Sequence, residues 1–278
     1  MGKKAGFTLV QLLVVIFSIM LLMVLILPIL SQDRPLAKRA GCTMNVRTIG
    51  QCLAMYTNAN NGKFPYLPAN AAWDVASTGA NRDKEPTGID DRSTSSLLFM
   101  LVRDGQSAKY FNCPADKSIK ECVDIKNEAG NYYWDFSSAS NLSYSYQVPM
   151  ADNSNGLFEP IESTSQPTSQ NYVSPSLIIM ADKSPTASLK DIDLTKWQQG
   201  LSPEDSKKYM SQNHEKGDYI NLLRADYSVG NAKSPDVGID NDYIYTASDK
   251  DNSGARYGGK AAQAAHKFKD DSYLAGPK

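Results

Sequence analysis

Between Phe7 and Leu30 the chain carries twenty-four consecutive residues without a charge, broken in polarity only by Thr8, Gln11, Ser18 and Pro28. A helix of that length reaches about 36 Å, against about 30 Å for the hydrocarbon core of a bilayer. Such a segment must leave water, so it constrains the rest of the fold. Lys3 and Lys4 precede it and favour a cytoplasmic N-terminus. A secretory signal has a shorter apolar stretch, of about 7–15 residues, ending at a small-residue cleavage site. Here the charged residues Asp33, Arg34, Lys38 and Arg39 come directly after it and continue a helical pattern. The remainder of the 278 residues is polar, which excludes a multi-span protein and leaves one expected span. Lys plus Arg total 29 and Asp plus Glu 30, a net charge of -1. That balance argues against a nucleic-acid binder, which needs excess basic charge to neutralise phosphates.

Beyond the apolar run the periodicity changes. Cys42, Val46, Ile49, Leu53 and Tyr56 recur at helical spacing and form one face of an amphipathic helix that should dock on a sheet. Asn58, Asn60, Asn61, Gly62 and Pro65 form its stop. Downstream, the runs 142–148 and 177–181 have strand character, with Tyr144 and Tyr146 on one side of the first. Residues 219–229 read as a hairpin turning near Ala225 and Asp226, and residues 243–246 as a last strand. Segments 78–94 and 153–170 are rich in Ser, Thr, Asn and Pro and read as surface loops, and residues 260–267 as a helical or frayed part of the tail.

The segment from Lys3 to Ile16, with Gly6-Phe7-Thr8-Leu9 ahead of the uncharged run, resembles the class III signal of type IV pilins and type II secretion pseudopilins. The resemblance implies cleavage between Gly6 and Phe7 by a prepilin peptidase that recognises Lys3 and Lys4, then methylation of Phe7. Pro28 lies about where members of that family kink the helix. At Gln11 the family normally has Glu, whose carboxylate pairs with a neighbouring subunit's N-terminal amine; Gln11 thus occupies the register position without the charge. Later segments are similar to planctomycete-type pseudopilin-like proteins. They are Cys42 to Gly50, Asn60 to Pro65, Phe111-Asn112-Cys113-Pro114-Ala115-Asp116, Ser143 to Tyr146, Asn213-His214 to Asp226, and Asp240 to Thr246. In the His-to-Asp segment this chain departs from the pattern, with Tyr227 where the relatives have Gly.

Four cysteines, Cys42, Cys52, Cys113 and Cys122, lie beyond the anchor, where disulfides would persist. Cys42 and Cys52 on one helix stand about 15 Å apart, too far to pair. Two bridges from helix to loop are expected; a lone Cys113–Cys122 bridge with two buried thiols is the alternative. A zinc site has less support, since no Cys-x-x-Cys pair occurs. Asp249, Asp251, Ser253 and Gly254 spell the first half of a calcium loop, without the distal Glu. Asp240 and Asp242 stand near enough in sequence to complete a Ca2+ shell, and the pseudopilin resemblance adds weight to it. His214 and His266 are the two histidines. With no nucleophile elbow and no phosphate or dinucleotide fingerprint, His214 reads as a turn or packing residue, although a spatial Ser–His–Asp arrangement stays open.

The expected fold is α+β and type IV pilin-like: one long N-terminal helix, transmembrane half plus amphipathic half, packed on a mostly antiparallel sheet with long loops. Expected units are a leader (1–6), a transmembrane or filament-core helix (7–30), its amphipathic continuation (31–60), a β-rich head (61–254) and a tail (255–278). The resemblance implies a structural, non-enzymatic subunit of a type II secretion pseudopilus or type IV pilus-like filament. Its expected partners are itself, other pilins, prepilin peptidase, an inner-membrane assembly platform and the inner membrane. Its expected location is the inner membrane, single-pass with a cytoplasmic N-terminus and a periplasmic head, and after assembly a periplasmic pseudopilus or extracellular filament. A membrane-tethered periplasmic enzyme or binding module is the alternative.

Overall fold

The computed structural model describes residues 6–32, 34–65, 78–85, 93–147, 174–185, 210–214, 219–238, 244–245 and 274–275. The N-terminal region forms two successive helices, α1 (Leu9–Gln32) and α2 (Arg34–Ala59). Asp33 between them lies outside the described residues, and Pro35 falls in the first described turn of α2. It has no N–H to bond a carbonyl one turn back, so it is favoured in the first turn of a new helix rather than inside an old one. By contrast, Pro28 lies within the bounds of α1.

The expected single long helix packed on a sheet is therefore corrected. The chain has separate helices, and the described side chains of α1 are exposed along its length. The expected location falls with it. Among the described residues, no helix is long and apolar enough to cross a membrane. A single-pass inner-membrane arrangement is overturned on that finding.

Among the described residues the sheet has five antiparallel strands: β1 (Tyr144–Gln147), β2 (Ile178–Asp182), β3 (Ile220–Arg224), β4 (Val229–Ala232) and β5 (Leu274–Ala275), in the order β4-β3-β2-β1-β5. Both faces are covered. On one, α2 packs against β3 and β4 while α3 (Thr94–Arg103) packs against β1. The core there contains Val46, Ile49, Leu53, Leu97, Leu98, Leu101, Tyr144, Tyr146, Met180 and Leu223. On the other face a smaller cluster joins Ile178, Ala181, Ile220 and Leu222 to Met210, Ile244 and Tyr245. Ile178 and Ala181 share that face although three residues apart, because a bulge between Ile178 and Met180 inserts one residue and shifts the two-residue alternation.

Close approach of α2 to the sheet needs Gly50. A Cβ there would meet Leu223 Cδ1 at 2.8 Å. α2 stops where expected, with Asn61 at φ 55° and Gly62 at φ 80° turning the chain. The loop expected over 78–94 runs into α3, and its Ser- and Thr-rich end is a helix cap: Ser93 Oγ accepts from the Ser96 backbone N–H at 3.1 Å. The last-strand reading at 243–246 is also corrected for the two residues described there: Ile244 and Tyr245 form a turn.

Candidate functional site

Two regions carry features that packing alone does not explain. The first is the N-terminal rod. Gly6, Phe7 and Thr8 precede α1 without regular structure, and a Cβ on Gly6 would meet nothing within 4 Å. Phe7 is 76% exposed, so the peptide bond between Gly6 and Phe7 is sterically open. Lys3 and Lys4 lie outside the described residues. Gln11 has a local job at the start of α1. Its Oε1 accepts from the Thr8 N–H at 3.0 Å, and its own N–H donates to Thr8 Oγ1 at 3.3 Å. That is a capping box, and Thr-x-x-Gln before an apolar run is the sequence signal that could have found it. Beyond it, Leu9 is 79%, Leu13 60% and Phe17 67% exposed. Leu9, Leu12, Leu13, Ile16, Phe17 and Met20 line a shallow apolar groove along one side, and Val10, Val14, Leu21 and Val24 stand exposed elsewhere on the rod. The rod is thus greasy all round, a pattern helices show when surrounded by apolar neighbours.

The second region is a buried junction where α2, the loop after the 3-10 turn Ala108–Phe111, β2, β3 and residues 210–214 meet. Cys42 and Cys113 form a disulfide with Cα atoms 4.9 Å apart, closing 71 residues of sequence separation. Cys52 and Cys122 are free and buried. The bridge is helix to loop but single, so both pairings expected from sequence are corrected. Ten residues along α2, Cys52 faces Gln106, whose Oε1 accepts its S–H at 3.2 Å. Burial pushes the Cys52 and Cys122 thiols up from their ordinary pKa.

Beside the bridge sits Asp182, fully buried at the end of β2. Its carboxylate accepts from the Asn221 N–H at 2.7 Å, Asn221 Nδ2 at 3.1 Å, Asn213 Nδ2 at 3.2 Å and His214 Nε2 at 3.1 Å. Four donors offset the cost of burying the charge. Thr43 of α2 reaches the same knot by donating to Asn221 Oδ1 at 2.7 Å. Tyr219 sets its ring edge-on to His214, centroids 5.2 Å apart. The Asn213-His214 motif of the sequence therefore supplies partners for Asp182. Asp182 itself gives no sequence signal beyond closing an apolar run. His214 Nδ1 is buried and has no hydrogen-bond partner among the described residues. With Nε2 on Asp182 and Nδ1 unpartnered, no serine hydroxyl among the described residues completes a triad on His214.

At the other end of the motif, Asp226 sits in the β3–β4 turn, its Oδ1 accepting the Ser228 N–H at 2.9 Å. Tyr227 has φ 64°, the left-handed region that glycine enters freely. Here the tyrosine offsets the strain through its hydroxyl, 2.6 Å from Thr57 Oγ1 on α2. The calcium candidates Asp240, Asp242, Asp249, Asp251 and Ser253 lie outside the described residues.

No family model, curated protein or solved structure matches this chain.

Proposed function

We propose that the protein is a pilin- or pseudopilin-like filament subunit that assembles with other copies of itself through α1. One observation supports the reading above others. A rod of apolar side chains, from Leu9 to Val24, stands exposed beside a head whose own core is closed. Exposed aliphatic surface costs about 25 cal/mol per Å2, and a contiguous patch of this extent marks an interaction surface. The rod is apolar around its whole circumference, so a partner on one side leaves the rest exposed. Packing among several identical rods covers it, with each copy supplying what its neighbours lack. The charge-free surface also lets identical copies approach without repulsion.

In this reading a prepilin-type peptidase cuts between Gly6 and Phe7, exposing a new N-terminus at the tip of α1. The open geometry around Gly6 supports a Gly6→Ala test, since the added methyl disturbs no neighbour. Electron microscopy of purified material, with mass analysis of its N-terminus, tests both halves of the proposal. Filaments built from chains beginning at Phe7 are expected. Discrete, non-filamentous particles, or a native chain beginning beyond Leu30, would refute it.

A further inference from the structure

We infer that the Cys42–Cys113 pair, when reduced, forms with His214 a buried binding site for a soft divalent metal ion of the zinc type. Ligand-type atoms of Cys42, Cys113 and His214 lie within 4.8 Å of one another, and all three residues are buried. The imidazole is set up as a ligand. Nε2 lies 3.1 Å from the Asp182 carboxylate, which can only accept, and 3.3 Å from Asn221 Nδ2, whose proton goes to that same carboxylate, so the proton of a neutral imidazole falls on Nε2. Nδ1 then carries the lone pair, and it is the buried nitrogen without a partner. A carboxylate behind a histidine is the arrangement that orients and strengthens metal-binding imidazoles.

The chemistry balances with a dithiol as reductant. The dithiol gives two electrons and two protons and closes into its own cyclic disulfide. The Cys42–Cys113 bond breaks and leaves two thiols. A divalent ion then displaces two protons into solvent and takes two thiolates and one imidazole. Two thiolates neutralise a 2+ ion, which suits a site next to the buried Asp182 carboxylate better than a monovalent ion with net negative charge. To bind at about 2.3 Å each, the sulfurs part to roughly 3.7 Å, a rotation at the cysteine side chains. A fourth position stays for water or a nearby donor. The ion would tie α2, the Cys113 loop and the 210–214 segment together, replacing a clamp between two segments with one among three.

The test uses the full chain, reduced with dithiothreitol, freed of reductant by anaerobic gel filtration and titrated with Co2+ and then Zn2+. One Co2+ per chain is expected, with thiolate charge-transfer absorption that Zn2+ abolishes, and the oxidised chain should bind neither ion at this site. His214→Gln, checked for its fold by circular dichroism while still oxidised, should weaken binding at least tenfold. If reduction itself unfolds the apo chain, Zn2+ must restore the spectrum. No ion bound by the reduced chain, equal binding by the oxidised chain, or unchanged affinity in His214→Gln would each overturn the site.

Discussion

α1 and α2 adjoin in sequence and have similar length, yet they solve opposite problems. In α1 almost every described side chain is apolar and exposed. In α2 the buried apolar side chains form one stripe, with Leu36, Met44 and Met55 exposed outside it, and Val46, Ile49 and Leu53 of that stripe are 0% exposed against the sheet. Burying each of those three contributes about 1.5–3 kcal/mol, so α2 is held by its own head. Among the described residues α1 gains nothing comparable, and the element it touches is its neighbour α2. A buried stripe is the mark of a helix with an intramolecular sheet to meet, whereas apolarity on all sides defers burial to another molecule.

A charge placed on each rod should have the largest effect. Leu13→Arg should reduce filament yield at least tenfold, read by sedimentation and microscopy, because a cation among apolar helices goes unpaired. Its melting temperature should stay within about 2 °C of the parent, as distant surface changes usually do. Sharing the loss equally between assembly and stability would show that α1 is part of the folded core. Replacing both Cys42 and Cys113 with Ser attacks the opposite side: loss of a bridge closing so long a loop should cost about 4 kcal/mol in denaturant unfolding. Leu53→Ala should cost about 2–5 kcal/mol by opening a cavity under α2, with the surface of α1 untouched. The smallest effect belongs to Gln11→Ala, which removes half of the Thr8 capping box and should cost about 1 kcal/mol of local helix stability, read by hydrogen exchange at the start of α1.

A pH experiment sharpens the contrast from within the head. Asp135 is buried under Ser93, Ser95 and Gly79, and burial holds its carboxyl above the ordinary carboxylate pKa, against hydrogen bonds that pull it down. Between the ordinary and the raised value the folded chain keeps a proton that the unfolded chain has lost. Stability therefore falls as pH rises through that window. Asp135→Asn should flatten this slope in thermal melts recorded across the acid range, while assembly through α1, which carries no titratable side chain among its described residues, keeps its pH profile.

Much of the local structure is legible in the sequence. The stripe Cys42, Val46, Ile49, Leu53 and Tyr56 is a helix face, the Asn-Gly stop ends it, and the 219–229 segment is a hairpin. α3 is hidden because Ser and Thr mark both loops and helix caps, and only the apolar residues after Ser93 separate the two. The junction is half visible: Asn213 and His214 stand out as a motif, but Asp182 and the choice of Cys113 as the partner of Cys42 do not.

Periodicity and covalent geometry act over one or a few turns, so the chain by itself determined which segments are helices or strands, where α2 stops, and that Cys42 and Cys52 stay apart. Only the tertiary structure decided which cysteine meets Cys42, which carboxylate meets His214, and that Tyr227 would hold a left-handed turn by reaching Thr57. Those pairings join residues tens to more than a hundred positions apart. Their energies depend on packing and dielectric at a meeting point that exists only once the sheet has formed.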